Sequence, residues 1–371
     1  MKRIFTVLTS IALTFALSFS AAFANDDAFL KSQNYLKTIA LDSPDAVIAY
    51  EATGMEADYK ADALLNNFKE TDYITASYGD LAKSIIAISL LGENPKDFNK
   101  TNLVEILENR VQEDGTLTND VNGGCGATIW TLMALETVNS PKVKAVADKL
   151  STMAMANGAY WYEYQGPNAD LDTTGWAMEA LSVAGRSTYD AAISKAYTFV
   201  QSKLNSTDGY YDNWGGNADT QSCVLEGLST AGYTLDTNAY NYLLSYQNED
   251  GTFNALNYST GQLEPNAYAS VEGARALGVI NNGSFVLMAR RDYTKTTTPV
   301  VTEPETPTKP STPTTPGTTT PAVKPETTTT EPKKETVKVV NTGDNTNVMA
   351  YVVAAIAAVG VIVLVIKSKK K

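Results

Sequence analysis

The sequence predicts an all-α fold: an (α/α)6 toroid of alternating outer and inner helices, followed by a disordered stalk and one C-terminal helix. Three observations carry that expectation. Apolar segments recur with a fixed beat, starting at residues 79, 126, 172, 219 and 265, so that neighbours stand 46 or 47 residues apart. Each is apolar almost all round; residues 127–138 carry a single charge, Glu136, and a helix without a polar face must be buried on every side. Amphipathic segments lie between them, as an outer layer facing water requires.

The first 24 residues read as a signal peptide. Lys2 and Arg3 supply the positive start, residues 4–19 the apolar core, and Ala22-Phe23-Ala24 the cleavage site. The folded domain is expected over 25–291. Its outer helices are expected at 27–38, 57–69, 98–112, 142–154, 190–203 and 237–246. Their inner partners are expected at 45–54, a weaker first copy, and at 79–92, 126–139, 172–185, 219–232 and 265–278. Each outer-to-inner connection opens with a turn dipeptide: Asp114-Gly115, Asn157-Gly158, Asp208-Gly209 or Asp250-Gly251. Such pairs turn the chain at positive φ.

Residues 292–340 are expected to form a Thr/Pro-rich stalk, because 294–336 hold 9 of the 14 prolines. That composition cannot bury a core and prefers extended geometry. At ~3.1 Å per residue the stalk reaches on the order of 140 Å. In 341–371, Asn341-Thr342-Gly343-Asp344 precedes 19 uncharged residues, 348–366, and the basic tail Lys367-Ser368-Lys369-Lys370-Lys371. The order resembles a sortase cell-wall sorting signal, with Thr342 and Gly343 as its processing residues. Val339-Val340 stand where such signals usually carry Leu-Pro. The resemblance implies sortase and peptidoglycan as partners. A plain transmembrane anchor is the alternative, since a run of about 20 apolar residues spans a bilayer and positive residues stay cytoplasmic. Either reading holds the domain outside the cell, on the wall or plasma membrane of a Gram-positive-type bacterium.

Residues 25–291 hold 34 acidic and 17 basic side chains, a net charge of −17. A field of that sign repels phosphates, so no nucleic-acid partner is expected. The chain contains no histidine, which removes imidazole zinc ligands and Ser-His or Cys-His pairs; no metal and no cofactor is implied. Cys125 and Cys223 lie on non-adjacent inner segments with one repeat between them. Helices so placed rarely approach to the ~7 Å a disulfide needs, and two free thiols are expected.

Gln112-Glu113-Asp114-Gly115 and Asn248-Glu249-Asp250-Gly251-Thr252-Phe253 resemble the Q-x-D-G-x-W/F repeat of the squalene cyclase and protein prenyltransferase toroids. Residues 216–220, Gly-Asn-Ala-Asp-Thr, and Asp170-Leu171-Asp172-Thr173-Thr174 resemble the following part, where an acidic residue opens the inner helix. The resemblance covers most of residues 40–280. It implies the fold and leaves the function open, since this fold hosts cyclases, prenyltransferases, thioester domains and cobalamin carriers.

Asp170-Leu171-Asp172-Thr173-Thr174 looks like the D-x-D-D or D-x-D-T-T motif of class II terpene cyclases. Carried over, Asp172 is the general acid that protonates an alkene, with Asp170 and Thr173 as its hydrogen-bond partners. The structural alternative is a helix cap: Asp219 occupies the same repeat phase as Asp172, and an Asp there satisfies free backbone N–H groups. A prenyltransferase zinc site needs the missing histidine. Residues 123–128 resemble the Gly-Cys-Gly-Glu-Gln of complement-type thioester domains, but Thr128 has no amide to acylate.

Aromatic residues crowd the outer-to-inner loops, among them Tyr160, Trp161, Tyr162, Tyr164, Tyr210, Tyr211, Trp214, Phe253 and Tyr258, beside Glu163, Asp170, Asp172, Asp212 and Asp219. Amphipathic rings with carboxylates suit a small molecule bearing apolar faces and hydroxyls or amines, such as a glycan or, by resemblance to the cobalamin carriers, a corrinoid. Trp161, Tyr162, Tyr164, Tyr211, Trp214 and Asp219 are the candidate ligand residues. The bland alternative has these aromatics sealing the end of the barrel. The leading expectation is a surface-displayed binding or adhesion module; the runner-up is a cyclase-like enzyme using Asp172, and a third is a structural wall protein.

Overall fold

The computed structural model describes residues 26–56, 72–120, 123–162, 166–211, 216–291 and 293. The expected signal peptide, the 57–69 helix, the stalk and the C-terminal helix lie outside them. The chain divides into two compact units, residues 1–299 and 300–371, and the second lies wholly outside the described residues. Among the described residues no helix is long and apolar enough to cross a membrane.

The described fold is all-α apart from two short hairpins. Six helices carry the apolar repeat: α2 (Pro44–Ala52), α3 (Tyr78–Leu90), α5 (Gly126–Thr137), α7 (Leu171–Gly185), α9 (Ala218–Thr230) and α11 (Ala267–Asn282). Each packs on the next in that order, and α11 packs back on α2. Burial matches the apolar pattern, since these helices hide nearly every side chain past their first turn. The approach between α7 and α9 is backbone to backbone. A Cβ at Gly227 would overlap the carbonyl of Gly175, and one at Gly175 would overlap the carbonyl of Cys223.

A second layer consists of α1 (Asp26–Leu36), α4 (Leu103–Glu108), α6 (Val143–Met153), α8 (Asp190–Gln201) and α10 (Thr237–Ser245). These bury one stripe only; in α6 it is Val146, Ala147 and Leu150. The Asp-Gly and Asn-Gly turns behave as expected, with φ of +82° at Gly115, +89° at Gly158, +62° at Gly209 and +85° at Gly251. Gly251 also sits against the next outer helix: a side chain there would strike the Lys31 carbonyl of α1. Gln247 Nε2 donates to Ala28 O and Ser32 Oγ, both at 2.9 Å, tying the last repeat to the first.

Three features differ from the sequence expectation. The expected 98–112 helix shrinks to α4, because Asn99 and Lys100 turn at positive φ and the Asn102 side chain caps the shorter helix. Two hairpins occupy the last connections, β1 (Leu204–Asn205) with β2 (Gly209–Tyr210) and β3 (Phe253–Asn257) with β4 (Gln262–Asn266). A last short helix, α12 (Phe285–Ala289), packs against α2, α3 and α5. Phe285, Val286 and Ala289 are buried, the Phe285 ring stacks on Trp130 with centroids 6.4 Å apart, and Arg290 pairs with Glu136 near the end of α5. This segment covers the C-terminal ends of the repeat helices. Both cysteines are buried free thiols, as expected.

Gly227→Ala is expected to cost roughly 2–4 kcal/mol in denaturant unfolding, since α7 and α9 must part to admit the methyl. Gly232→Ala, where a Cβ meets nothing within 4 Å, should cost about 1 kcal/mol from its positive φ alone.

Candidate functional site

The loop aromatics divide into two groups. Tyr160, Tyr210 and Phe253 are fully buried, and each donates its backbone N–H to a first-turn side chain of the helix that follows. The acceptors are Thr174 Oγ1 (2.9 Å), Gln221 Oε1 (2.9 Å) and Ser270 Oγ (2.7 Å). These three seal the repeats, which is the bland reading of the loop rings. Tyr211 and Tyr258 are exposed. Trp161 and Tyr162 are partly buried, and the Trp161 carbonyl accepts the Cys125 N–H at 3.1 Å. Tyr164 and Trp214, with Glu163 and Asp212, lie outside the described residues.

The helix caps are corrected by the structure. Asp170, not Asp172, is the N-cap of α7: its φ and ψ are extended, and its Oδ1 accepts from Thr173 N (2.7 Å) and Thr173 Oγ1 (2.5 Å). Asn217, not Asp219, caps α9. A capping side chain must hang from an extended residue before the first helical turn; Asp172 and Asp219 already lie inside that turn. The cyclase motif's partner set is also not formed as its resemblance implies. Asp170 spends its carboxylate on Thr173, whereas the partner of Asp172 is the Thr220 hydroxyl of α9.

Freed from capping, Asp172 and Asp219 face a shared space with residues from the other inner helices. Burial, then the neighbouring charges of Asp170, Glu272 and Asp219, push the Asp172 carboxyl well above its usual range. Burial lifts Asp219 to about 6, against the pull of Arg275, and its Oδ1 is buried with no hydrogen-bond partner among the described residues. Glu272 rises to about 7 through burial, opposed by Arg275, the Tyr268 hydroxyl and Lys83. Lys83 pairs with Asp45 at 2.8 Å and lies 4.6 Å above the Trp130 ring. Trp130 meets Trp176 edge to face at 5.8 Å, and the Trp176 Nε1 is buried without a partner. Asp172 and Asp219 thus sit partly exposed in the first turns of α7 and α9, and Glu272 is buried further along α11. Trp130, Met178 and Phe285 are buried in the interior. A groove of about 400 Å³ on the outer wall, between α6 and α8, presents Lys195 as its one charge.

Further along the repeat helices lies a charge cluster absent from the sequence-based site. Arg275 is buried and holds Glu226 in a two-pronged pair, Nε to Oε1 at 2.8 Å and Nη2 to Oε2 at 3.1 Å. Its Nη2 stands 3.7 Å from Glu272. Glu179 accepts from Ser284 Oγ at 3.0 Å and from Thr230 Oγ1 at 3.5 Å. Burial and the adjacent Glu226 charge raise it to about 8. The signal for these residues was available: Glu179, Glu226 and Glu272 are each the eighth residue of the segments beginning at 172, 219 and 265. A carboxyl repeated at one phase of an otherwise apolar helix marks a shared interior face. No protein-family model matches the chain, and no curated protein matches it.

The pH dependence of stability follows from Glu179, whose ordinary value is 4.5. Below that value folded and unfolded chains both hold the proton, and the group contributes nothing. Between about 4.5 and 8 only the folded chain keeps it, so stability falls as pH rises. Glu179→Gln should therefore match the parent near pH 4 and exceed it by roughly 1–3 kcal/mol near pH 8, measured by denaturant unfolding at both pH values.

Proposed function

We propose that residues 25–291 form an (α/α)6 toroid acting as a surface-displayed binding module, whose ligand site is the acidic end of the repeat helices around Asp172, Asp219 and Trp176. The cyclic packing of the six repeat helices supports the toroid, together with the resemblance of the Q-x-D-G turns to the squalene cyclase and prenyltransferase repeat. Display at the surface of a Gram-positive-type cell is supported by the sequence pattern of leader, Thr/Pro stalk, Thr342-Gly343, apolar run and basic tail. The observation that carries the binding reading is that Asp219 Oδ1 and Trp176 Nε1, near the N-terminal ends of α9 and α7, are buried with no hydrogen-bond partner among the described residues, as are Ser89 Oγ, Thr131 Oγ1, Tyr160 OH, Glu179 Oε2 and Arg290 Nε elsewhere. Buried polar groups are otherwise almost always satisfied, and a ligand bearing both a donor and an acceptor would satisfy both. A small molecule with hydroxyls or amines on an apolar frame, a glycan or a corrinoid among them, fits that description.

Asp172 supports a second reading, as the acid of a cyclase-like enzyme. It is released from capping, and its carboxyl keeps its proton where an ordinary aspartate would lose it. Against a long polyprenyl chain stand Trp130, Met178 and Phe285, which are buried in the interior between the repeat helices.

Thermal unfolding against panels of glycans, corrinoids and polyprenyl lipids separates the readings. A ligand held near 100 times its Kd should stabilise the chain by ~2.7 kcal/mol, a shift of several degrees. Trp161→Ala should shrink that shift. Conversion of a polyprenyl substrate that disappears in Asp172→Asn, at an unchanged melting temperature, would replace the binding reading with the enzymatic one. No response across all panels would leave a structural wall protein.

A further inference from the structure

We infer that the β3–β4 hairpin is a docking surface for a basic polypeptide, which lays its apolar side chains on Leu256, Leu263 and Tyr258. The inference goes beyond the ligand site described above and uses none of its residues. It starts from an irregularity in the repeat. Residues 246–266 lead into α11, a connection of 21 positions, whereas 109–125, 154–170 and 202–217 lead into α5, α7 and α9 in 16 or 17. The seal that each repeat needs is already made where the hairpin begins. Phe253 is fully buried, its N–H reaches Ser270 Oγ, and its ring carbons lie 2.9 Å from where a Cβ on Gly273 of α11 would stand. The extra residues add nothing to that seal, and insertions in repeat folds often gather on the binding face.

The added part turns an apolar face to water. Leu256 and Leu263 stand directly opposite each other across the two strands, so both point to one side. Side chains alternate along a strand, which sets that side away from the buried Phe253. Pro265 shares it and is exposed. Leu256 is 46% exposed, Leu263 56%, and Tyr258 in the turn 87%. The turn is held in shape from within. Glu264 accepts from Asn257 Nδ2 at 2.8 Å and from Thr260 Oγ1 at 2.7 Å, and the Ser259 N–H donates to Asn257 Oδ1 at 2.9 Å. A pre-shaped face loses little freedom when it is covered; left bare on a hairpin, the same face invites aggregation.

Charge selects what covers it. Residues 246–266 carry Glu249, Asp250 and Glu264 and no Lys or Arg. Lys31 of α1 meets Glu249 at 3.1 Å, which leaves the surround negative within a domain whose net charge is −17. A second copy would bring the same acidic face and the same charge and be repelled, as would an anionic lipid surface. The patch is mostly aliphatic, which suits apolar side chains better than the hydroxylated face of a sugar. A polypeptide with Lys and Arg around exposed apolar residues meets both conditions.

Fluorescence anisotropy on the full chain tests this with a labelled amphipathic Leu/Lys peptide, its Leu/Glu twin and its Ser/Lys twin. The Leu/Lys peptide should bind at least about 10-fold more tightly than either twin, and more weakly at high salt, where the charges are screened. Leu256→Ser together with Leu263→Ser should weaken it by about 10-fold, and Tyr258→Ser several-fold. Both variants should melt within a few degrees of the parent, because the side chains they change are exposed. Leu287→Ser, at a comparably exposed leucine on α12, should leave binding unchanged. Equal binding of either twin, or binding indifferent to the hairpin variants, would overturn the inference. So would attachment to phosphatidylcholine vesicles, or self-association in sedimentation, that the double variant abolishes while the Leu/Lys peptide stays silent, since a membrane or a second copy would then be the occupant. Silence from every probe removes the hairpin as a docking surface.

Discussion

One guanidinium sets the electrostatics of the interior. Arg275 is the buried cation around which Glu226, Glu272, Glu179 and Asp219 are arranged, and its charge opposes the rise in the last three. Taking a charge out of water costs several kcal/mol unless a partner offsets it. Arg275 and Glu226 offset each other through two hydrogen bonds. Glu272 and Glu179 have weaker partners, the more distant Arg275 Nη2 and the Ser284 and Thr230 hydroxyls, and burial raises both carboxyls above their ordinary range. Stability and proton uptake are therefore linked in this fold, and the link runs through a few residues on α7, α9 and α11.

Backbone packing makes that cluster unavoidable. Glycines at 175 and 227 let α7 and α9 approach until carbonyl and Cα are in contact, closer than any side chain at those positions would allow. The acidic faces of neighbouring repeats are thereby pressed together, at Asp172 with Asp219 near one end and at Glu179 with Glu226 two turns on. The same repeat that buries apolar surface thus also concentrates charge.

The two ends of the repeat helices are unlike. The α12 segment brings Phe285 onto Trp130, Ser284 onto Glu179 and Arg290 onto Glu136, while Glu179 Oε2 and Arg290 Nε stay buried without a partner among the described residues. At their N-terminal ends the loops supply Tyr160, Tyr210 and Phe253 as seals, and Asp172 and Asp219 stay partly exposed beside them.

The order of helices was legible in the sequence because its causes are local. An apolar segment of helical length demands enclosure wherever it lies, and Asp-Gly pairs turn the chain whatever they face; Gly115, Gly158, Gly209 and Gly251 all do so. Which aspartate caps a helix was not legible, because it depends on where the extended backbone stops, and Asp170 and Asp172 both look eligible in a string of letters. Nor could the string show that α12 turns back onto α5, that Arg275 reaches Glu226 forty-nine positions away, or that Asp219 is left without a partner. Those outcomes depend on distances between repeats, and a carboxyl's affinity for its proton is set by neighbours that only the closed packing brings near.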